Sequence, residues 1–166
     1  RLFPIVQNSE MNAPDSADLA ILREIQADGR LSNAKLSEKL AISETPCWRR
    51  LKRLEQDGFI QGYQAVLNRQ KLGFGVIAFA QVTIADHSTD DGLIFEREVT
   101  EIPEILSCHN VTGDYDYLIQ IVAKDLDAYG AFVRDRLRKL PGVSSIHSNL
   151  SLREVKQTIK LPVKSQ

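Results

Sequence analysis

Ser43-Glu44-Thr45-Pro46-Cys47-Trp48-Arg49-Arg50-Leu51-Lys52-Arg53-Leu54-Glu55-Gln56-Asp57-Gly58 carries both of its own helix boundaries. Ser43 or Thr45 is placed to accept a hydrogen bond from the free amides of the first turn. Pro46 falls where an amide has no helical partner to lose, and Gly58 supplies a left-handed stop. Between these ends Cys47, Leu51 and Leu54 recur at i, i+4 and i+7 as one apolar stripe, while Arg49, Arg50, Lys52 and Arg53 project around the rest. The segment predicts a helix with one buried and one cationic side.

Immediately upstream, Ser32 is placed to cap a shorter amphipathic helix with Leu36 and Leu40 on one face, and only Ala41-Ile42 separates Leu40 from Ser43. Two short helices joined by so tight a turn are the helix-turn-helix unit, whose second helix enters the DNA major groove. Its candidate DNA-contacting residues are Ser43, Glu44, Thr45, Trp48, Arg49, Arg50, Lys52 and Arg53. Trp48 lies near the N-terminal end, where side chains reach base edges, yet a Trp beside an apolar stripe also serves as a packing residue; both roles stay open. The four cations suit phosphates or guanine edges, with the division between them undetermined.

Working outward, Asp15 or Ser16 starts a first helix that runs to about Asp28, with either Leu19, Leu22 and Ile25 or Ile21 and Ile25 as its buried side and Gly29 as its stop. After Phe59-Ile60, the alternation from Tyr63 to Leu67 predicts a short strand or wing. Residues 15–67 thus read as a winged helix-turn-helix domain, with 1–14 as a disordered extension or an expression remnant.

Composition narrows the class. The chain has 166 residues, 43% of them hydrophobic and 26% charged, and no apolar run approaches the roughly 18 residues of a membrane span. Net charge is −1, which excludes a polycation that coats nucleic acid indiscriminately; any DNA contact is local. Asp15–Tyr63 holds eight cations and eight anions, and half of those cations fall within Arg49–Arg53. Cys47 and Cys108 have neither disulfide-framework nor zinc-ligand spacing, so both read as small buried hydrophobes in a reducing cytoplasm. No metal or cofactor is expected.

Asn68-Arg69-Gln70-Lys71-Leu72-Gly73 is polar, ends in glycine and breaks the periodicity, which places a linker at 68–73 and a second domain at 74–166. From Val76 the pattern alternates, Val76, Ala78, Ala80, Val82 and Ile84 against Ile77, Phe79, Gln81 and Thr83, predicting a long strand covered on both faces. A weak repeat follows. Glu101-Ile102-Pro103-Glu104-Ile105 and Lys139-Leu140-Pro141-Gly142-Val143 both read as helix end, proline stop and strand start. The preceding helices begin near 88–91, with Leu93, Phe95 and Val99, and near Asp125, with Leu126, Tyr129, Phe132, Val133, Leu137 and Leu140. Strands at 105–111 and 117–123 flank Thr112-Gly113-Asp114-Tyr115-Asp116, and a last strand spans 143–152. The order β-α-β-β-α-β is the ferredoxin-like split, so the fold class is α+β. Helices cover one face of such a sheet; apolar residues on the other predict that sheets pair between subunits.

Taken together, several stretches resemble the Lrp/AsnC (leucine-responsive, feast/famine) transcriptional regulators over residues 16–163. These are Asp18-x-x-Ile21-Leu22, Asp28-Gly29-Arg30, the Ser-x-x-Pro-Cys-x-x-Arg-x-x-x-Leu-Glu pattern of 43–55, Gly58-x-Ile60, Thr112-Gly113-Asp114-Tyr115-Asp116-Tyr117 and Pro141-Gly142-Val143. The resemblance implies a bacterial or archaeal regulator whose ferredoxin-like (ACT-like) domain dimerises, assembles further, commonly to octamers, and binds an amino-acid effector between subunits. It implies that Ser43–Glu55 is the recognition helix and that Thr112, Gly113, Asp114, Tyr115 and Asp116 form the effector loop. Backbone amides near Gly113 suit a carboxylate and Asp114 or Asp116 an ammonium group, although Gly and Asp also make plain turns.

The competing class is an enzyme. His87, His109 and His147 lack metal-ligand or triad spacing, and adjacent Cys108 and His109 point to opposite faces of a strand. Siroheme decarboxylases resemble the same two-domain architecture and would bind a tetrapyrrole through His and Arg, which leaves that enzyme as the alternative.

Overall fold

A computed structural model describes residues 13–85 and 90–163, which divide into two compact units, one of 13–66 with 157–163 and one of 67–156. His87, the residues 86–89 ahead of the fourth helix, and all of the N-terminal extension before Ala13 lie outside the described residues.

The first unit holds α1 (Ser16–Ala27), α2 (Asn33–Leu40) and α3 (Glu44–Gln56). Asp15 caps α1 in a reciprocal box: its carboxylate accepts from the Asp18 N–H at 2.9 Å, and the Asp18 carboxylate accepts from the Asp15 N–H at 3.1 Å. Ser32 caps α2 through its hydroxyl, which accepts from the Lys35 N–H. Ser43 occupies the same position before α3, but neither it nor Thr45 makes a capping bond from its side chain, contrary to expectation. The cause is local. The caps of α1 and α2 both take the third helical N–H, and the third helical residue here is Pro46, which has none. Ile21, Ile25, Leu36, Cys47 and Leu54 form the buried core, with Leu22, Leu51, Phe59 and Ile60 packed on it. Of the two sides considered for α1, Ile21 with Ile25 is the buried one.

One expectation for this region fails. Residues 61–68 form no strand: Val66 is 92% exposed, and among the described residues no strand pairs with the segment. Tyr63 instead donates its hydroxyl to Glu55 Oε1 at 2.9 Å, tying the departing chain to the last turn of α3. Residues 157–163 cluster with the helices rather than with the sheet, because the Gln26 amide holds the Leu161 backbone, donating to its carbonyl at 2.8 Å and accepting from its N–H at 2.7 Å. At the other boundary, 68–73 cluster with the second unit, since Arg69 donates to the Phe74 and Gly75 carbonyls and the Phe74 N–H returns to the Arg69 carbonyl.

The second unit runs β1 (Val76–Ile84), α4 (Asp91–Thr100), β2 (Ile105–Asn110), β3 (Tyr117–Ala123), α5 (Leu126–Asp135) and β4 (Val143–Leu150). Its antiparallel sheet has the order β2-β3-β1-β4, the ferredoxin-like arrangement. Ala78, Ala80, Val82 and Ile84 point into a core closed by Phe95 and Val99 of α4 and Tyr129 and Phe132 of α5. Phe95 lies against Tyr117 with ring centroids 4.7 Å apart. α5 stops at Asp135, where the Arg136 backbone leaves the helical region; Leu137 and Leu140 follow in and after a short 3-10 turn, Leu137–Lys139, which ends at the extended Leu140 that Pro141 demands. Leu93, expected on the buried side of α4, is exposed. On the face away from α4 and α5 Ile77 and Val122 are buried while Phe79 remains 37% exposed, so that face too carries apolar side chains.

Candidate DNA-recognition helix and effector loop

Exposure divides α3 into three stripes. Cys47, Leu51 and Leu54 face the core, and Thr45, Trp48, Arg49, Lys52 and Gln56 face solvent. Between them lies a half-buried row of Pro46, Arg50 and Arg53. Trp48 is 51% exposed and takes no part in the core, which removes the packing role from the two considered for it. Ser43 and Glu44 are exposed at the N-terminal end, where Asn33 of α2 donates its amide to the Glu44 carbonyl at 3.1 Å and fixes the approach of the two helices.

The four cations read from the sequence are not equivalent. Arg50 Nη1 donates to Asp18 Oδ1 at 2.8 Å and to Asp15 Oδ2 at 2.7 Å, and Arg53 Nη2 donates to Asp18 Oδ2. The Asp18 side chain is 1% exposed. These bonds, the one to Asp18 foremost, push the Arg50 guanidinium further up, while the Asp18 N–H and Arg50 hold the Asp15 carboxyl below its ordinary range. Lys52 pairs with Glu55 at 2.7 Å on the surface, lowering the Glu55 carboxyl. Arg49 makes no hydrogen bond or ion pair to the described residues. Asp15 and Asp18 escaped the sequence reading as partners of α3 because nothing in their local spacing announces a contact 32 to 35 residues away.

At one end of the second unit, Thr112, Gly113 and Asp114 are exposed and Tyr115 and Asp116 half-buried, with Gly113 at φ 126°. The loop is pinned by its last residue. The Val111 N–H donates to the Asp116 carbonyl, as does the Asn110 amide; the Asp116 N–H donates to the Val82 carbonyl; and the Asp116 carboxylate accepts from the Ile84 N–H at 2.8 Å. Of the two carboxylates proposed for an ammonium group, Asp116 is thus engaged with the sheet, whereas Asp114 faces solvent. Next to the loop, Tyr117 donates to Glu96 Oε1 at 2.9 Å, and burial first, then this bond, pushes its phenol up to about 12. An open depression of about 330 Å³ between α5 and β4, lined by Tyr129, Gly130, Val133, Arg134, Arg138 and Ser148, contains none of the loop residues. Among the described residues no group of three or more His, Cys, Asp or Glu is arranged to hold a metal ion, and no helix is long and apolar enough to cross a membrane.

A helix-turn-helix unit with an exposed, polar second helix, joined to a ferredoxin-like domain, defines a DNA-binding regulator that carries its own ligand-binding domain. Comparison with known proteins makes this specific. Residues 14–61 match the family described as winged helix-turn-helix DNA-binding, and 77–161 match the Lrp/AsnC ligand binding domain. The chain belongs to the Lrp/AsnC family and is a DNA-binding transcriptional regulator. It is 40% identical over 152 residues to the leucine-responsive regulatory proteins of Escherichia coli and Klebsiella pneumoniae, covering 92% of this chain and 93% of theirs. Among solved structures it is similar to a transcriptional regulator of Neisseria meningitidis in complex with L-Met, with a TM-score of 0.86, 40% identity and coverage of 90% of this chain and 96% of that one. An AsnC family regulator from Agrobacterium tumefaciens matches with a TM-score of 0.85, 35% identity and coverage of 90% and 97%. These relatives are regulators, and the decarboxylase alternative is not favoured.

Proposed function

We propose that this regulator reads duplex DNA through the exposed edge of α3 and that a free amino acid, bound at the 112–116 loop, changes its DNA binding or assembly. The observation that carries the DNA half is the solvent-facing stripe of Thr45, Trp48, Arg49 and Lys52 on a helix whose other side packs into the core through Cys47 and Leu54. For the ligand half, the exposed Asp114 and the open amides around Gly113 match the two charged ends of an amino acid, and a similar regulator was solved with L-Met. The partly apolar outer face of the sheet supports pairing of two copies there and further assembly, commonly octameric in this family. Such a protein works in the cytoplasm, where its DNA is, and needs no metal or other cofactor.

A thermal-shift screen of the full chain against the twenty amino acids tests this reading. An effector at about 100 times its dissociation constant adds about 2.7 kcal/mol, and the same compound is expected to alter affinity for a duplex selected by the protein. It acts only if it prefers one quaternary arrangement, since equal affinity for both shifts nothing. No shift with any amino acid, together with unchanged DNA binding, contradicts the effector assignment.

A further inference from the structure

We infer that Asp18 sets the DNA-facing charge of α3 by withholding Arg50 and Arg53 from the phosphates, so that Arg49 and Lys52 are the cations that meet DNA. The inference rests on α3 being the recognition helix and specifies which of its residues do the work.

Three observations carry it. Arg50 and Arg53 stand one turn apart on the same row of α3, so a single acceptor on a neighbouring helix can engage both. That acceptor is buried: Asp18 spends one oxygen on Arg50 and the other on Arg53, and the latter also accepts from the Asp15 N–H. Moving either guanidinium to a phosphate would leave a buried carboxylate short of a partner, a far worse exchange than the one Lys52 makes in leaving the exposed Glu55. Finally, the net charge within the cluster is zero, two arginines against Asp15 and Asp18, so half of the cationic run adds little to the attraction that DNA meets. A helix with all four cations loose would grip any duplex; a helix with two depends more on what Trp48, Thr45 and Arg49 find in the groove.

Asp18 is in this sense a positioning residue for specificity, and its test separates that role from mere support. The full-length chain is titrated across a salt series with two duplexes, one selected from a random pool by the wild-type protein and one of fixed arbitrary sequence. Asp18→Asn keeps the shape and removes the charge. It is expected to bind the arbitrary duplex more tightly, with a salt slope steeper by about 1 to 2, and to lose at least about tenfold of the preference for the selected duplex. Arg50→Gln and Arg53→Gln are expected to leave the slope unchanged, whereas Arg49→Ala lowers it by about 1. Loss of affinity for both duplexes by the same factor in Asp18→Asn, at an unchanged slope, overturns the inference. So does a slope lowered by about 1 in Arg50→Gln or Arg53→Gln, which leaves α3 as the recognition helix. If Asp18→Asn fails to fold, judged by its helical circular dichroism, the two arginine variants decide alone. An Arg49→Ala variant unchanged both in slope and in affinity for the two duplexes takes that cation off the DNA, and the inference falls with it.

Discussion

The carboxylate of Asp116 accepts the backbone N–H of Ile84 at 2.8 Å, joining the end of the 112–116 loop to the end of β1. The sequence alone offers Asp114 and Asp116 alike as partners for an ammonium group. The bond separates them. Asp116→Ala is expected to destabilise the sheet domain by about 1.5 to 3 kcal/mol, the scale of a hydrogen bond to a charged acceptor, while Asp114→Ala stays within about 0.5 kcal/mol. Asp114→Ala is nonetheless the variant expected to abolish the amino-acid thermal shift. Urea denaturation with and without effector checks both; equal stability of the two variants contradicts the division of roles.

Backbone conformation predicts opposite responses at two small residues. Ala41, in the turn between α2 and α3, is left-handed at φ 51°, where a side chain is strained and glycine is not. Ala41→Gly is expected to be neutral or stabilising by up to about 1 kcal/mol. Gly142 is left-handed too, at φ 72°, and a Cβ there would lie 2.9 Å from both Asp91 Cβ and Ile84 Cγ2. Gly142→Ala should cost about 2 to 5 kcal/mol by summing strain and overpacking. Denaturation midpoints measured side by side check the contrast.

Alkaline titration reports on two tyrosines. Burial and a carboxylate acceptor hold the phenols of Tyr63 and Tyr117 at about 12, against an ordinary value of about 10. The neutral form is the one favoured by folding. The stability they contribute is therefore complete below about pH 10 and lost as pH rises toward about 12. In a spectrophotometric titration of tyrosinate, Tyr63→Phe and Tyr117→Phe should each remove absorbance from a step near pH 12.

Gln26 holds Leu161 by two neutral hydrogen bonds, each worth about 0.5 to 1.5 kcal/mol. Gln26→Ala should free the C-terminal segment, speed tryptic cleavage after Lys160 and leave the helical circular dichroism unchanged. Cleavage at the wild-type rate would mean that the segment is held by something else.

What could be read from the chain follows from the range of the interactions involved. Asp15, Ser32 and Gly58 act within a turn of where they stand, so helix ends were legible, and strict alternation in Val76–Ile84 marked a strand. The β-α-β-β-α-β order followed from the proline stops. Alternation misled at Tyr63–Leu67, because a strand needs a partner and none pairs with this segment among the described residues. Ser43 misled because its capping role depends on the identity of Pro46, three residues on. The site was legible as a set of residue types, while their roles were not: the pairing of Arg50 and Arg53 with Asp18, and of Asp116 with Ile84, join residues 32 to 35 apart.

The central claim is that the solvent-facing edge of α3 reads DNA sequence. Its most direct measurement is the affinity of the wild-type chain and Arg49→Ala for a selected and an arbitrary duplex at one fixed, near-physiological salt concentration. The wild-type chain should prefer the selected duplex by at least about 10³-fold, and Arg49→Ala should lose about 1 to 3 kcal/mol on it if Arg49 reads a base, or weaken both duplexes alike if it holds a phosphate. Equal wild-type affinity for the two duplexes, or an Arg49→Ala variant indistinguishable from wild type on both, would contradict it.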